Sequence, residues 1–151
     1  MPQEKKEQAT TGELQSMICG ADSFEAVLSL HDGVPEISFP ELLYHLMDER
    51  NLLPRDIILL TGIERSYFYH ILNGYKNPGR NMVLRIGLCM RLSLTGMNQL
   101  RRRAGLASLY SKTRRDAVLI WAVSNGRTMA QTNELLLQAG EEPLYREARY
   151  E

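Results

Sequence analysis

Apolar residues recur along most of this chain at three- and four-residue intervals, the period of a helix that buries one face. Leu42, Leu43, Leu46 and Met47 form one such stripe. It follows Ser38-Phe39-Pro40-Glu41, which reads as a capping box opening a helix to about Arg50. Ile57 and Ile58 mark a second helix after Pro54, and Gly62 breaks it. Ile63, Phe68, Ile71 and Leu72 give a third helix one apolar face, closed by Gly74. Met82, Val83, Ile86, Met90 and Leu92 predict a fourth after Pro78, and a fifth spans about Thr95 to Ala104. Upstream, Phe24, Val27 and Leu28 form a stripe over 22–30 with Asp22 as N-cap, ended by His31-Asp32-Gly33 and Pro35. Residues 1–12 are polar and expected to be disordered. The pattern predicts an all-α protein.

The second half repeats itself without gaps. A shift of 35 residues lays Arg80–Tyr110 over Arg115–Tyr145 with nine identities, among them Val83/Val118, Leu84/Leu119, Asn98/Asn133, Gly105/Gly140 and Tyr110/Tyr145. Each copy reads as helix, capped turn, helix, then Ala-Gly and a trailing Leu-Tyr, with the glycine suited to a left-handed C′ position. Stacking a second pair extends a core that one pair cannot close alone. The predicted organisation is an acidic N-terminal arm with one short helix (1–37), a domain over 38–110, and a C-terminal helix pair (111–151) repeating that domain's last two helices.

Composition adds limits. An apolar share of 44% with 24% charged residues is that of an ordinary globular protein. Cys19 and Cys89 form no metal-ligand or redox motif and are expected to be reduced thiols in a cytoplasmic protein. No apolar run has the length of a membrane span, and MPQEKKEQATTGE has no signal-peptide core. Net charge is zero but unevenly spread. Residues 1–38 carry two lysines against seven acids, whereas 39–110 carry ten basic residues against five acids. A basic middle is what a phosphate-binding surface shows, although charge runs are more often simply solvated. His31, His45 and His70 lie in three separate segments without paired carboxylates, a P-loop, zinc-ligand spacing or a nucleophile motif, so no enzyme, cofactor or metal site is expected.

The stretch Pro54–Pro78 points to function. Burying Ile63, Phe68, Ile71 and Leu72 turns Glu64, Arg65, Ser66, Tyr69, His70 and Asn73 outward. A short helix presenting mixed polar side chains is what the DNA major groove admits. Here the chain resembles the lambda-repressor-like helix-turn-helix family, the xenobiotic-response-element type. The resemblance rests on Gly62-Ile63, on Ile63…Phe68…Ile71, on the closure Asn73-Gly74-Tyr75-Lys76-Asn77-Pro78, and on the apolar helix that follows. It covers about residues 39–104. Three positions depart from the family pattern. Pro54 replaces a common phosphate-contacting glutamine, Ile58 a small residue, and Leu72 a usual glutamate. The first weakens one backbone contact, and the other two ask for altered helix packing. The whole chain is also similar to a group of small bacterial regulators with extra helices on both sides of this domain.

The resemblance implies sequence-specific binding of double-stranded DNA by a transcriptional regulator, with Glu64–Asn73 as recognition helix. Glu64, Arg65, Ser66 and His70 would read base edges, while Arg55, Tyr67, Tyr69, Asn73, Lys76 and Arg80 would meet sugar and phosphate. One short helix reads few bases, so a homodimer is expected, with half-sites about 34 Å apart. The competing reading is a protein-interaction adaptor, favoured by the aromatic run Tyr67-Phe68-Tyr69, by Pro54, and by zero net charge. Arg101-Arg102-Arg103 closes a helix and is explained by the helix dipole before any nucleic acid is invoked. Leu59 and Leu60 fall where this fold is usually solvated, so the 22–30 helix or a second subunit is expected to cover them. Trp121 aligns with Ile86 and is expected in the core, as are Met47, Met82, Met90, Met97 and Met129.

Overall fold

The computed structural model describes residues 11–23 and 37–146. Among them are eight helices and no strand, so the chain is all-helical as its periodicity predicts. It divides into two units, residues 1–36 and 37–151.

In the first unit, helix α1 runs Thr11–Cys19. It begins inside the stretch expected to be disordered, and nothing in the pattern predicted it. Its apolar spacing rests mainly on Leu14, Met17 and Ile18, too short a run to register as periodic. The helix expected over 22–30 falls outside the described residues from Phe24 onward.

The second unit starts with α2, Phe39–Glu49. Its N-cap is Ser38, whose Oγ accepts the Glu41 N–H at 3.3 Å. Phe39, Leu43 and Met47 are buried, with Leu42 and Leu46 packed beside them. Helix α3, Pro54–Thr61, places its proline in the first turn, where a missing N–H costs nothing. The free Leu53 N–H donates to the Asp56 carboxylate at 2.8 Å. Gly62 then adopts φ 69°, a left-handed conformation that a side chain would resist, and reverses the chain. Helix α4 is Arg65–Leu72, with Glu64 and Asn73 as its caps rather than its ends. Helices α5 (Arg80–Cys89) and α6 (Leu94–Arg103) follow, then α7 (Arg114–Ser124) and α8 (Met129–Gln138).

Two apolar cores share α5 and α6. The first joins Phe39, Leu43, Ile57, Phe68 and Ile71 to Val83, Ile86, Leu100 and Ala104. Leu72 is buried there and Ile58 packs against this core. The second core joins Leu84, Leu88, Met97 and Leu109 to Leu119, Val123, Leu136 and Leu144.

The repeat is also structural. α7 and α8 fall on α5 and α6 under the 35-residue shift. Ser93 and Thr128 both cap with their hydroxyls, accepting from Gly96 at 3.1 Å and Gln131 at 3.1 Å. Asn98 Oδ1 accepts the Leu109 N–H at 2.9 Å, and Asn133 Oδ1 accepts the Leu144 N–H at 2.8 Å. Gly105 and Gly140 are both left-handed, at φ 79° and 72°. The two pairs meet crosswise, α6 on α7 and α5 on α8. Those two contacts exchange under the repeat, so the pairs face each other about a pseudo-two-fold axis rather than stacking head to tail. Equivalent positions meet there: Arg91 donates to the carbonyl of Gly126, its own counterpart, at 3.4 Å.

One expectation fails. Ile86 is fully buried, whereas its counterpart Trp121 is 49% exposed. Helix α3 packs on α5 and α2 on α6, which places Ile86 in the first core with Ile57 and Phe39, whereas Trp121 belongs to neither core among the described residues. The methionines behave as expected: Met47, Met90 and Met97 are buried, and Met82 and Met129 pack at the core edges.

Candidate nucleic-acid interface

The turn between α3 and α4 is held from beneath. Thr61 is buried; its hydroxyl donates to the Ile57 carbonyl at 2.6 Å and accepts the Ile63 N–H at 3.3 Å. Arg85 donates to the Thr61 carbonyl, and its guanidinium lies 5.4 Å from the ring centroid of Tyr145. Burial pulls the Arg85 pKa below the usual arginine value, with the Tyr145 phenol acting in the opposite direction. One side chain of the first helix pair thus joins the α3–α4 turn to the C-terminal segment. Sequence reasoning missed Arg85. Its signal was a lone cation between Leu84 and Ile86 in an otherwise apolar run.

On α4, Phe68, Ile71 and Leu72 are buried on one side, while Glu64, Arg65, Ser66, His70 and Asn73 are exposed on the other. Tyr67 and Tyr69 sit between these faces, half-buried against the first core. The Arg65 guanidinium lies 5.5 Å from the Tyr69 ring centroid, so the aromatic edge supports the cation. The His70 carbonyl accepts the N–H groups of Tyr75 at 2.9 Å and Lys76 at 3.2 Å, wrapping the next loop around the end of α4. Gly74, at φ 79°, makes that wrap possible, and the His70 and Tyr75 rings meet edge-on at 6.3 Å. Lys76 is exposed in this loop, and Arg55 is exposed in the first turn of α3. Arg80 stands apart from that group: at the start of α5 it is paired with Glu142 at 2.6 Å, both half-exposed.

The arginine triplet does not form a uniform patch. Arg102 and Arg103 are exposed, but Arg101 is buried and donates to the Ala107 carbonyl at 2.9 Å. Arg115 is likewise buried, donating to the Glu142 carbonyl at 3.0 Å and to Asn81 Oδ1 at 2.7 Å. Burial lowers the pKa of both. Leu59 and Leu60 are 83% and 55% exposed, and the 22–30 segment expected to cover them lies mostly outside the described residues.

Among the described residues no group of three or more His, Cys, Asp and Glu could hold a metal ion. No described helix is long and apolar enough to cross a membrane. Comparison with family models, with curated proteins and with solved structures finds no match to this chain.

Proposed function

We propose that this chain is a transcriptional regulator that binds double-stranded DNA by sequence, with α4 in the major groove. In this reading residues 38–110 are a lambda-repressor-like domain and 111–151 an appended copy of its last helix pair. The observation that carries the proposal is the division of α4. Phe68, Ile71 and Leu72 anchor one face while Glu64, Arg65, Ser66 and His70 are exposed on the other. A helix of eight residues fixed at both ends by left-handed glycines presents such groups with little freedom.

Arg65 is the side chain suited to a bidentate contact with guanine, and Ser66 and His70 read the neighbouring edges. Glu64, the N-cap, accepts from a cytosine amino group. Asn73, Lys76 and Arg55 are free for sugar and phosphate, as are the exposed edges of Tyr67 and Tyr69. Arg80 reaches a phosphate only by leaving Glu142, so its contribution is smaller. A homodimer acting in the cytoplasm would read two such half-sites.

The test is selection from a random duplex pool with purified protein, then binding of the selected sequence at two salt concentrations. An enriched motif and an affinity falling steeply with salt are expected, because phosphate contacts release counterions. Arg65→Ala is expected to cost about 1–3 kcal/mol and to relax one base position. Equal losses on all sequences would reassign Arg65 to phosphate. The exposed Leu59 favours a second reading, a protein-interaction adaptor. Absence of any duplex binding, with salt-insensitive capture of a protein, would replace the first reading with this one.

A further inference from the structure

The two helix pairs are copies, yet their surfaces are used unequally. The pair α5–α6 buries two apolar faces. One face, through Leu84 and Leu88, meets the second pair. The other, through Val83, Ile86, Leu100 and Ala104, is covered by α2, which packs on α6, and by α3, which packs on α5. The pair α7–α8 commits the copy of the first face, through Leu119 and Val123, and only the edge of the second, where Val118 packs partly against the same core. The copy of the second face is Val118, Trp121, Leu135 and Ala139, each 35 residues beyond its counterpart. These four residues, with Arg114 and Ala117, line an open groove of about 600 Å3 between α7 and α8. We infer that this groove is a docking site for an amphipathic helix of a partner protein, one carrying carboxylates beside its apolar stripe.

The kind of occupant follows from the internal copy. Where the chain supplies a cover for this surface, the cover is helical, and α2 presents Phe39, Leu43 and Met47 as its stripe. The groove's concavity argues against a second copy of the same face, since two hollows pressed together leave a void. The charge of the occupant follows from the rim. The Arg127 guanidinium lies 5.0 Å from the Trp121 ring centroid, whereas Arg114, 75% exposed, is already paired with Glu141 at 3.6 Å and donates to the Ala139 carbonyl at 3.2 Å, so the charge offered to an occupant is that of Arg127. Arg127 takes the place of buried Leu92, Arg114 that of Gly79, and Glu141, the partner of Arg114, that of Leu106, so the second copy has gained one cation, Arg127, that its own acid does not balance. An exposed tryptophan beside an arginine is the side-chain set that anchors helices in grooves.

Trp121 is the chain's single tryptophan, so its emission reports the groove directly. The probe is a synthetic helical peptide of about fifteen residues with leucines at i, i+3, i+4 and i+7 and glutamates on its flanks. Titrated into the full chain, it is expected to shift Trp121 emission to the blue and to protect it from acrylamide. A peptide with lysine replacing glutamate is expected to bind about tenfold more weakly. With a labelled peptide followed by anisotropy, Trp121→Ser and, separately, Ala117→Glu are each expected to weaken binding about tenfold or more while the helical content and melting temperature hold. The inference is overturned by equal binding of the two peptides, by binding indifferent to both variants, or by no binding. It is equally overturned if Trp121 resists quenching before peptide is added. Concentration-independent protection would mean that the chain covers its own groove, and concentration-dependent protection that a second copy does. None of these outcomes depends on DNA binding.

Discussion

Gly87 and Met97 meet in the interior between α5 and α6, where a Cβ on Gly87 would lie 2.5 Å from Met97 Cε and 2.6 Å from its Sδ. The copies of these residues are Ala122 and Thr132, both buried, so the second pair fills the same contact with a larger helix residue and a smaller neighbour. Gly87→Ala is therefore expected to destabilise by at most about 2 kcal/mol, the overpacking of buried Met97 set against about 1 kcal/mol gained in helix propensity and eased by the flexible end of the methionine. Adding Met97→Ala is expected to cost less in the Gly87→Ala background than alone; urea unfolding of the four chains would reveal this coupling, and strict additivity would refute it. The cysteines also differ by environment. Cys89 is half-buried, and burial, with a smaller push from Asp56, raises its thiol to about 11 from the usual 9.0. The folded state then holds the proton more tightly than the unfolded chain, so this contribution is complete below 9.0 and is lost as pH rises toward 11. The stability gap between the parent chain and Cys89→Ala is expected to narrow across that window. At neutral pH an alkylating reagent should modify exposed Cys19 well before Cys89.

At the scale of elements, the helix pairs are closed by asparagines rather than by apolar contact alone. Asn98 takes one backbone N–H, that of Leu109, whereas Asn133 takes those of Leu144 and Tyr145 and donates to the Tyr145 carbonyl. Asn133 is also the more buried of the two. Asn133→Ala leaves buried backbone groups unpaired and is expected to cost about 2–3 kcal/mol, against about 1 kcal/mol for Asn98→Ala. Thermal melts of both variants check the order. The glycines of this motif were legible in the sequence because capping is local, whereas the aligned asparagines reach across eleven residues and their role was not. Helix α1 was not legible, since a nine-residue helix with a weak stripe gives periodicity little to act on. On α4 the buried residues were legible from spacing, but the half-buried positions of Tyr67 and Tyr69 were not. Their burial depends on how α4 lies against neighbouring helices.

At the scale of the whole molecule, Arg85 ties the α3–α4 turn to Tyr145 at the far end of the second pair. If α4 reads DNA as proposed and the second pair steadies it, Tyr145→Ala should weaken binding to a selected duplex by a fewfold without changing its sequence preference. A changed preference would show instead that α4 itself had moved. The sequence by itself determined the helices of the second unit, the Ser38 cap, the breaks at Gly62, Gly74, Gly105 and Gly140, and the copying of one helix pair into another. Those features depend on contacts within a few residues or on a comparison of the chain with itself. Only the tertiary structure decided that the two pairs face each other about a pseudo-two-fold axis. That arrangement sets Arg115 against Asn81 and Arg80 against Glu142 across the two pairs, while the packing of α2 and α3 on the first pair explains why Ile86 is buried and Trp121 is exposed. A repeat fixes which positions are equivalent, but the hand and face of their packing are settled by long-range contacts that equivalence leaves open.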